Sequence, residues 1–149
     1  MRTGDAGDRA FVHELGLRSA STSVSNVRAT EHAEVLGAFD KLLAFVWTRD
    51  HDLLVAESEG ERIGFLLLLY DIPDEVSNTP QAFVAYTAVE PAHWRRGAGR
   101  ALLKEGERRA RERGMQYVSL MVTETNDAAR ALYARAGYLT ERRMLTKPV

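Results

Sequence analysis

The sequence predicts a mixed α/β (α+β) fold, with a central mixed, mostly antiparallel twisted sheet, one parallel strand pair and helices on both faces. Three observations predict it. Two helical segments open the chain, two strands joined by a short polar turn follow, and the second half alternates strand, helix, strand, helix, strand. Sheet-forming segments joined by a tight turn pair antiparallel, whereas strands separated by a helix pair parallel through a right-handed crossover.

The elements are justified in order. Phe11, Val12, Leu15 and Leu17 recur at helical spacing after Asp8, a candidate N-cap, and the segment ends in the polar run Ser19 to Asn26. A second helix is expected from the cap candidate Thr30, with Glu31 and Glu34 in its first turn and Val35, Leu36, Phe39, Leu42, Leu43 and Val46 on its apolar face. Asp52 to Glu57 and Arg62 to Tyr70 read as a hairpin closed by Ser58-Glu-Gly-Glu61, with Leu66 to Leu69 central in the sheet. Asp71 to Gln81, with Pro73 and Pro80, reads as a loop before a strand from Ala82 to Val89. Arg100 to Arg113 is a helix with Leu102, Leu103, Gly106 and Ala110 as its inner stripe and Gly114 as its C-terminal cap. Met115 to Val122 is the second strand of the parallel pair. Asn126 caps a last helix through Ala136, Gly137 ends it, and a closing strand is expected from Tyr138 to Thr146.

A chain of 149 residues fits one domain, residues 1–149, with room for a core that needs no disulfide or metal. With 20 basic and 21 acidic residues the formal net charge is −1, which supplies no global field for nucleic acid or an anionic membrane, so neither is expected as a partner. There is no cysteine, which excludes thiol nucleophiles and cysteine zinc sites. His13, His32, His51 and His93 show no paired ligand spacing, and no metal is expected. The N-terminus has no hydrophobic signal region, and the longest apolar run, Ile63 to Tyr70, is too short to span a bilayer. A soluble cytoplasmic protein is the expectation.

The most informative segment runs from Val89 through His93-Trp94-Arg95-Arg96-Gly97-Ala98-Gly99-Arg100 into the helix beyond. Gly97 and Gly99 leave no Cβ between backbone and ligand, so successive N–H groups can converge on an oxyanion. The helix that follows adds the positive end of its dipole. Arg95, Arg96 and Arg100 surround the turn with guanidinium forks suited to phosphate. A glycine pair beside arginines also occurs in plain strand-to-helix connections, so its surroundings decide. In sheets of this kind ligands favour the crevice at the carboxyl ends of parallel strands, where this turn falls.

The pattern resembles the GNAT superfamily of N-acetyltransferases. Three pieces carry the resemblance in order: Val89-x-Pro91 with Arg95-Arg-Gly-Ala-Gly-Arg-Ala-Leu-Leu103, then Leu120-Met-Val-Thr-Glu-Thr-Asn126, then Ala129-x-x-Leu-Tyr133-x-x-x-Gly137-Tyr138. Together they span about Ala82 to Tyr138. The resemblance implies acetyl-CoA as cosubstrate, bound in a cleft formed by the parallel pair, and a primary amine as acceptor. Two departures stand out. Trp94 occupies a position where the family usually has Gln or Arg, which shifts phosphate binding toward backbone N–H groups. The family's first strand has only Met1 to Thr3 to form it.

By the same resemblance, backbone groups of Thr87, Ala88 and Val89 meet the thioester and pantetheine, and Arg95, Arg96, Gly97, Ala98, Gly99 and Arg100 hold the pyrophosphate. Attack on a thioester builds negative charge on its carbonyl oxygen, which a fixed backbone N–H of Ala88 or Val89 can stabilise; the alternative is that both are ordinary buried strand positions. Tyr133 is the candidate general acid, because a phenol with pKa about 10 stays protonated at neutral pH and can protonate a departing thiolate. Its alternative is packing on the sheet beside Leu132. Asn126 is either a helix cap, a ligand contact, or both through different atoms.

An amine with pKa about 10.4 must lose a proton before it attacks, so a base or water relay is required. Glu57, Asp71, Glu75, Glu90 and Glu124 are candidates, with Glu124 named for its place just past the strand ending at Val122. The Ser19 to Asn26 and Asp71 to Gln81 loops are expected to form the acceptor pocket for a small-molecule or peptide amine. Asp71, Asp74 and Glu75 hint at a cationic acceptor, and solvating charge explains them equally. The basic run at Arg108, Arg109, Arg111 and Arg113 interleaves with Glu105, Glu107 and Glu112 and reads as a salt-bridged face. A terminal strand offers an edge through which two copies can pair as a homodimer. The rival from another class is a noncatalytic acyl-CoA-binding or sensing module.

Overall fold

A computed structural model describes residues 1–149. Five strands form one sheet in the order β1 to β5, and four helices cover it. The hairpin of β2 (His51–Ser58) and β3 (Glu61–Leu69) closes through Glu59 and Gly60, both at positive φ, 51° and 81°. Two successive left-handed residues make the turn whose twist matches the flanking strands. The two-residue β1 (Arg2–Thr3) joins the outer side of β2. It is pinned there by Arg2, whose two Nη atoms each lie 2.8 Å from the buried Asp8 carboxylate, while Arg62 Nε reaches the same carboxylate at 2.7 Å.

Those arginines explain one difference from the sequence reading. Asp8 precedes α1 (Arg9–Ala20) but does not cap it with its side chain, because its oxygens face Arg2, Arg62 and the Asp5 N–H. The second correction concerns α2 (His32–Trp47), expected to be capped by Thr30. Its cap is Glu31, in a reciprocal capping box with Glu34, and Thr30 Oγ1 donates to the Glu34 carboxylate instead.

β3 is the middle strand, and side-chain alternation divides the core into two. Phe65, Leu67 and Leu69 join Val12, Leu15, Phe39 and Leu43 under α1 and α2. Leu66 and Leu68 join Leu54, Leu102, Leu103 and Ala110 under α3 (Ala98–Glu112). The inner stripe read from the sequence, Leu102, Leu103, Gly106 and Ala110, is the buried face of α3. The basic run lies outside it, with Arg108 and Arg109 on Glu105 and Arg113 on Asp50.

β4 (Ala82–Val89) runs antiparallel to β3 and parallel to β5. The expected strand from Met115 to Val122 contracts to β5 (Val118–Leu120), because β4 pairs with it only over Ala82–Val84 before the two part. α4 (Asp127–Arg135) follows, ending near Gly137 at φ 93°. The closing strand expected from Tyr138 to Thr146 is absent: residues 139–149 enter no helix or strand. Its central residues Glu141, Arg142 and Arg143 break apolar alternation, and Arg142 turns to the Asp74 carboxylate instead of a strand partner. No helix is long and apolar enough to cross a membrane.

Candidate active site

The cleft originates in a bulge. β4 pairs Val84 with Leu68 and Tyr86 with Leu67, so Ala85 is the extra residue, and the strand bends there away from β5. Beyond the bulge, β4 keeps β3 on one side and has no strand on the other. The ladder also fixes which backbone groups face the opening. Glu90 N–H donates to Ile63 O at 2.7 Å, and Ala88 lies opposite Phe65 in the same register, so both face β3. By alternation, the backbone groups of Thr87 and Val89 face the open side. Thr87 Oγ1 points back, donating to Phe65 O at 2.8 Å.

At the end of β4 a 3-10 turn, Pro91–His93, leads to the glycine segment. Arg95 and Gly97 both take positive φ, 60° and 89°, and Gly97 is the N-cap of α3 with no side chain bonded to its first turn. The first helical N–H to bond within α3 is that of Ala101, to Gly97 O at 2.9 Å, which leaves the N–H groups of Ala98, Gly99 and Arg100 directed outward at the dipole's positive end. The two glycines serve different ends. A Cβ at Gly97 would meet nothing, so glycine is favoured there by φ alone, whereas a Cβ at Gly99 would lie 3.2 Å from Leu132 Cδ2, so Gly99 lets α3 approach α4. Arg95, Arg96 and Arg100 are exposed, and none forms an ion pair within the chain, unlike Arg2, Arg18, Arg108 and Arg113.

Trp94, where a phosphate-binding side chain was missed in the sequence, has a structural task of its own. Its indole N–H donates to Val89 O at 2.7 Å, although the ring is 59 % exposed. The carbonyl of the last β4 residue is thereby tied to the glycine turn.

Tyr133 lies on α4, half-buried against the α3-side core, its ring edge-on to Tyr138 at 5.9 Å. Burial, and secondarily the Tyr86 phenol, raise its pKa above the ordinary tyrosine value, and its hydroxyl bonds to no other group of the chain. Asn126 caps α4, its side-chain oxygen accepting from Ala129 N at 3.2 Å, which leaves its NH₂ group free for other contacts. Glu124 stands on the surface, its side chain 81 % exposed and 3.7 Å from Arg130.

The other carboxylates are engaged. Glu90 meets both Nη atoms of Arg18 at 2.6 and 2.9 Å, and this pairing lowers its pKa. Asp71 pairs with Arg49 at 2.8 Å, and Asp74 accepts from Ser77 N, Ser77 Oγ and Arg142. These bonds hold loops together. Two features had no signal in the sequence: the Arg18–Glu90 clamp between α1 and the end of β4, and the Tyr86 hydroxyl on Ser19 Oγ at 2.9 Å, both linking residues far apart in the chain. Beside the bulge, Leu42, Phe45, Ile72, Phe83, Ala85 and Met121 line an apolar cavity of about 240 Å³. No group of three or more His, Asp or Glu side chains is arranged to hold a metal ion.

A parallel strand pair that separates over a helix N-terminus flanked by unpaired arginines makes an open α/β cleft with donors suited to an anion. The Acetyltransferase (GNAT) family matches residues 19–138, and the chain belongs to that family of acyltransferases. A mycothiol acetyltransferase of Thermobispora bispora is 33 % identical over 92 residues, covering 62 % of this chain and 31 % of its own length, so the chain spans about a third of that relative. Among solved structures, a putative acetyl transferase from Pyrococcus furiosus superposes with a TM-score of 0.84 at 23 % identity, covering 99 % of this chain and 97 % of the other. The aminoglycoside N-acetyltransferase AAC(6')-Iy in complex with CoA gives a TM-score of 0.67 at 17 % identity, covering 99 % and 97 %. At those identities the likeness concerns the fold.

Proposed function

We propose that this chain transfers acetyl directly from acetyl-CoA to a primary amine of a small molecule or peptide. The observation that carries the proposal is the cradle: three outward N–H groups at the start of α3, with Arg95, Arg96 and Arg100 free of internal partners, at the open end of a splayed strand pair. Its donors suit a diphosphate, and its position suits an arm reaching back between β4 and β5.

Acetyl-CoA supplies an activated thioester, and the chain's residues do the rest. The Val89 N–H, on the open side and held by the Trp94 anchor on its carbonyl, faces the developing oxyanion, a role that Ala88, bonded toward β3, fills less well. The amine nitrogen bonds to the acetyl carbon as the C–S bond breaks, and Tyr133, kept protonated by burial, gives its proton to the departing thiolate. The amine's proton leaves through water, with Glu124 as the exposed relay terminus. The bound carboxylate of Glu90 is a weaker base than an ordinary glutamate. Asn126 offers its NH₂ group to the pantetheine arm.

That the carboxylates beside the cleft are internally paired is the one observation favouring the noncatalytic acyl-CoA-binding alternative. Adding amine panels, including aminoglycosides, to protein and acetyl-CoA and measuring free thiol separates the two. Amine-dependent thiol release supports transfer; CoA binding without release from any amine supports the binding module.

A further inference from the structure

Tyr86 is the first residue of β4 after the bulge, and its ring is held under α1 and α2, edge-on to Phe39 at 5.0 Å and stacked on Phe65 at 6.1 Å. Its hydroxyl lies 2.9 Å from Ser19 Oγ, in the last turn of α1. The neighbouring Arg18 fastens the same end of α1 to Glu90, just past β4. Phenol and serine are therefore both fixed relative to the strand that borders the cleft.

Ser19 decides which way the proton of this pair points. Its Oγ is also 3.1 Å from Gly16 O, a carbonyl that can only accept, so the Ser19 hydrogen goes there and Ser19 accepts from Tyr86. The Tyr86 proton is thereby turned toward α1, and its oxygen, which bonds to no other group of the chain, offers lone pairs alone. Tyr133 is the opposite case, a phenol whose proton no group of the chain accepts. The two belong to opposite faces of the sheet, Tyr86 with Phe39 and Phe65, and Tyr133 with Leu102 and Leu103. They are near enough for Tyr86 to raise the Tyr133 pKa, and beyond the bulge β4 has no strand on the side where they meet. One phenol can donate into the cleft, and the other can only accept.

We infer that Tyr86 receives the acceptor amine, its oxygen taking an N–H of the nucleophile, and that Ser19 is a positioning residue that keeps the phenol proton turned away. A neutral primary amine carries N–H donors and one lone pair. With an N–H on Tyr86, the lone pair is directed toward the acyl carbon. A phenol free to rotate would instead donate to that lone pair and quench the nucleophile. Packing between Phe39 and Phe65 sets the oxygen in place before the substrate arrives, so little ordering remains to be done on binding. The amine then enters from the α1 face while the thiolate leaves toward Tyr133 on the other: nitrogen bonds to the acyl carbon, the C–S bond breaks, and the Tyr133 proton goes to sulfur. The chemical step in this assignment rests on the transferase reading; the binding of an amine at Tyr86 does not.

Steady-state kinetics on Tyr86→Phe, Ser19→Ala and Ser19→Thr, with the amine that releases most thiol from acetyl-CoA, tests the inference. Tyr86→Phe should raise the amine Km by roughly three- to tenfold, the worth of one hydrogen bond, while the Km for acetyl-CoA stays as it was. Ser19→Ala should act in the same direction by less, and Ser19→Thr, which restores the hydroxyl, should recover the wild-type Km. An amine Km indifferent to Tyr86→Phe overturns the inference, as do both Km values and the melting temperature moving together. NMR on the unaltered protein, isotope-labelled at tyrosine Cζ, needs neither a variant nor turnover. With CoA bound, n-butylamine should shift the Tyr86 resonance and leave that of the exposed Tyr117 in place; an unmoved Tyr86 resonance up to the solubility of the amine overturns the inference. A Tyr86 shift without thiol release from any amine would sink the transferase reading and keep the amine site. Thiol release indifferent to Tyr86 would do the reverse.

Discussion

The indole N–H of Trp94 donates to the carbonyl oxygen of Val89 at 2.7 Å, joining the last residue of β4 to the turn that opens α3. The bond lies where the backbone proposed to face the oxyanion meets the proposed phosphate cradle, so it couples the two. Trp94→Phe keeps the ring and removes the donor. A net hydrogen bond is worth about 0.5–1.5 kcal/mol, so kcat should fall roughly two- to tenfold, while the Km for acetyl-CoA changes less. Steady-state kinetics on both substrates measures the split.

Tyr133→Phe removes the proposed proton donor while keeping the ring that packs against Tyr138. General acid catalysis contributes about 10² to 10⁴ in rate, so kcat should drop within that range. Calorimetric CoA affinity and the melting temperature should stay close to those of the wild type. Unchanged turnover removes Tyr133 from the mechanism.

Gly97→Ala places a Cβ in open space but at φ 89°. The left-handed conformation costs a non-glycine residue about 1–2 kcal/mol, and the strain sits inside the cradle. CoA affinity should weaken by about tenfold, a change of roughly 1.4 kcal/mol. Titration calorimetry reads it directly.

Asp8 is buried beneath Arg2 and Arg62, whose hydrogen bonds hold its pKa well below the ordinary aspartate value. A depressed carboxylate contributes stability that is complete above its unfolded pKa of about 4 and is lost as pH falls through its lower folded pKa. Asp8→Asn should lower stability at neutral pH by about 1–3 kcal/mol, moderated by the partial exposure of both arginines. It should also flatten the loss of stability on acidification below pH about 4. Denaturant melts across that range check both.

Much of this was legible in the chain because it is local. The inner stripe of α3, the hairpin around Gly60 and the Asn126 cap all follow from residues within a few positions of one another. What was not legible depends on distant partners. Asp8 has the right residue type and place for a cap, yet Arg2 and Arg62 claim it. Residues 139–146 have enough apolar character for a strand, yet a strand exists only where an edge receives it. The bulge at Ala85, which opens the cleft, has no local sequence mark, and the Arg18–Glu90 clamp spans 72 positions. Of the site positions named from the sequence, Thr87 and Val89 lie on the open side of β4, Ala98, Gly99 and Arg100 begin α3, Asn126 caps α4, and Glu124 carries a carboxylate that faces solvent.

The central claim is that the start of α3 holds the CoA diphosphate and directs the thiol between β4 and β5. A crystal structure of the CoA complex tests it most directly. The account predicts diphosphate oxygens within hydrogen-bond distance of the N–H groups of Ala98, Gly99 and Arg100, with the thiol near Val89 N–H and the Tyr133 hydroxyl. CoA bound elsewhere on the chain, or with its diphosphate away from that helix terminus, would contradict it.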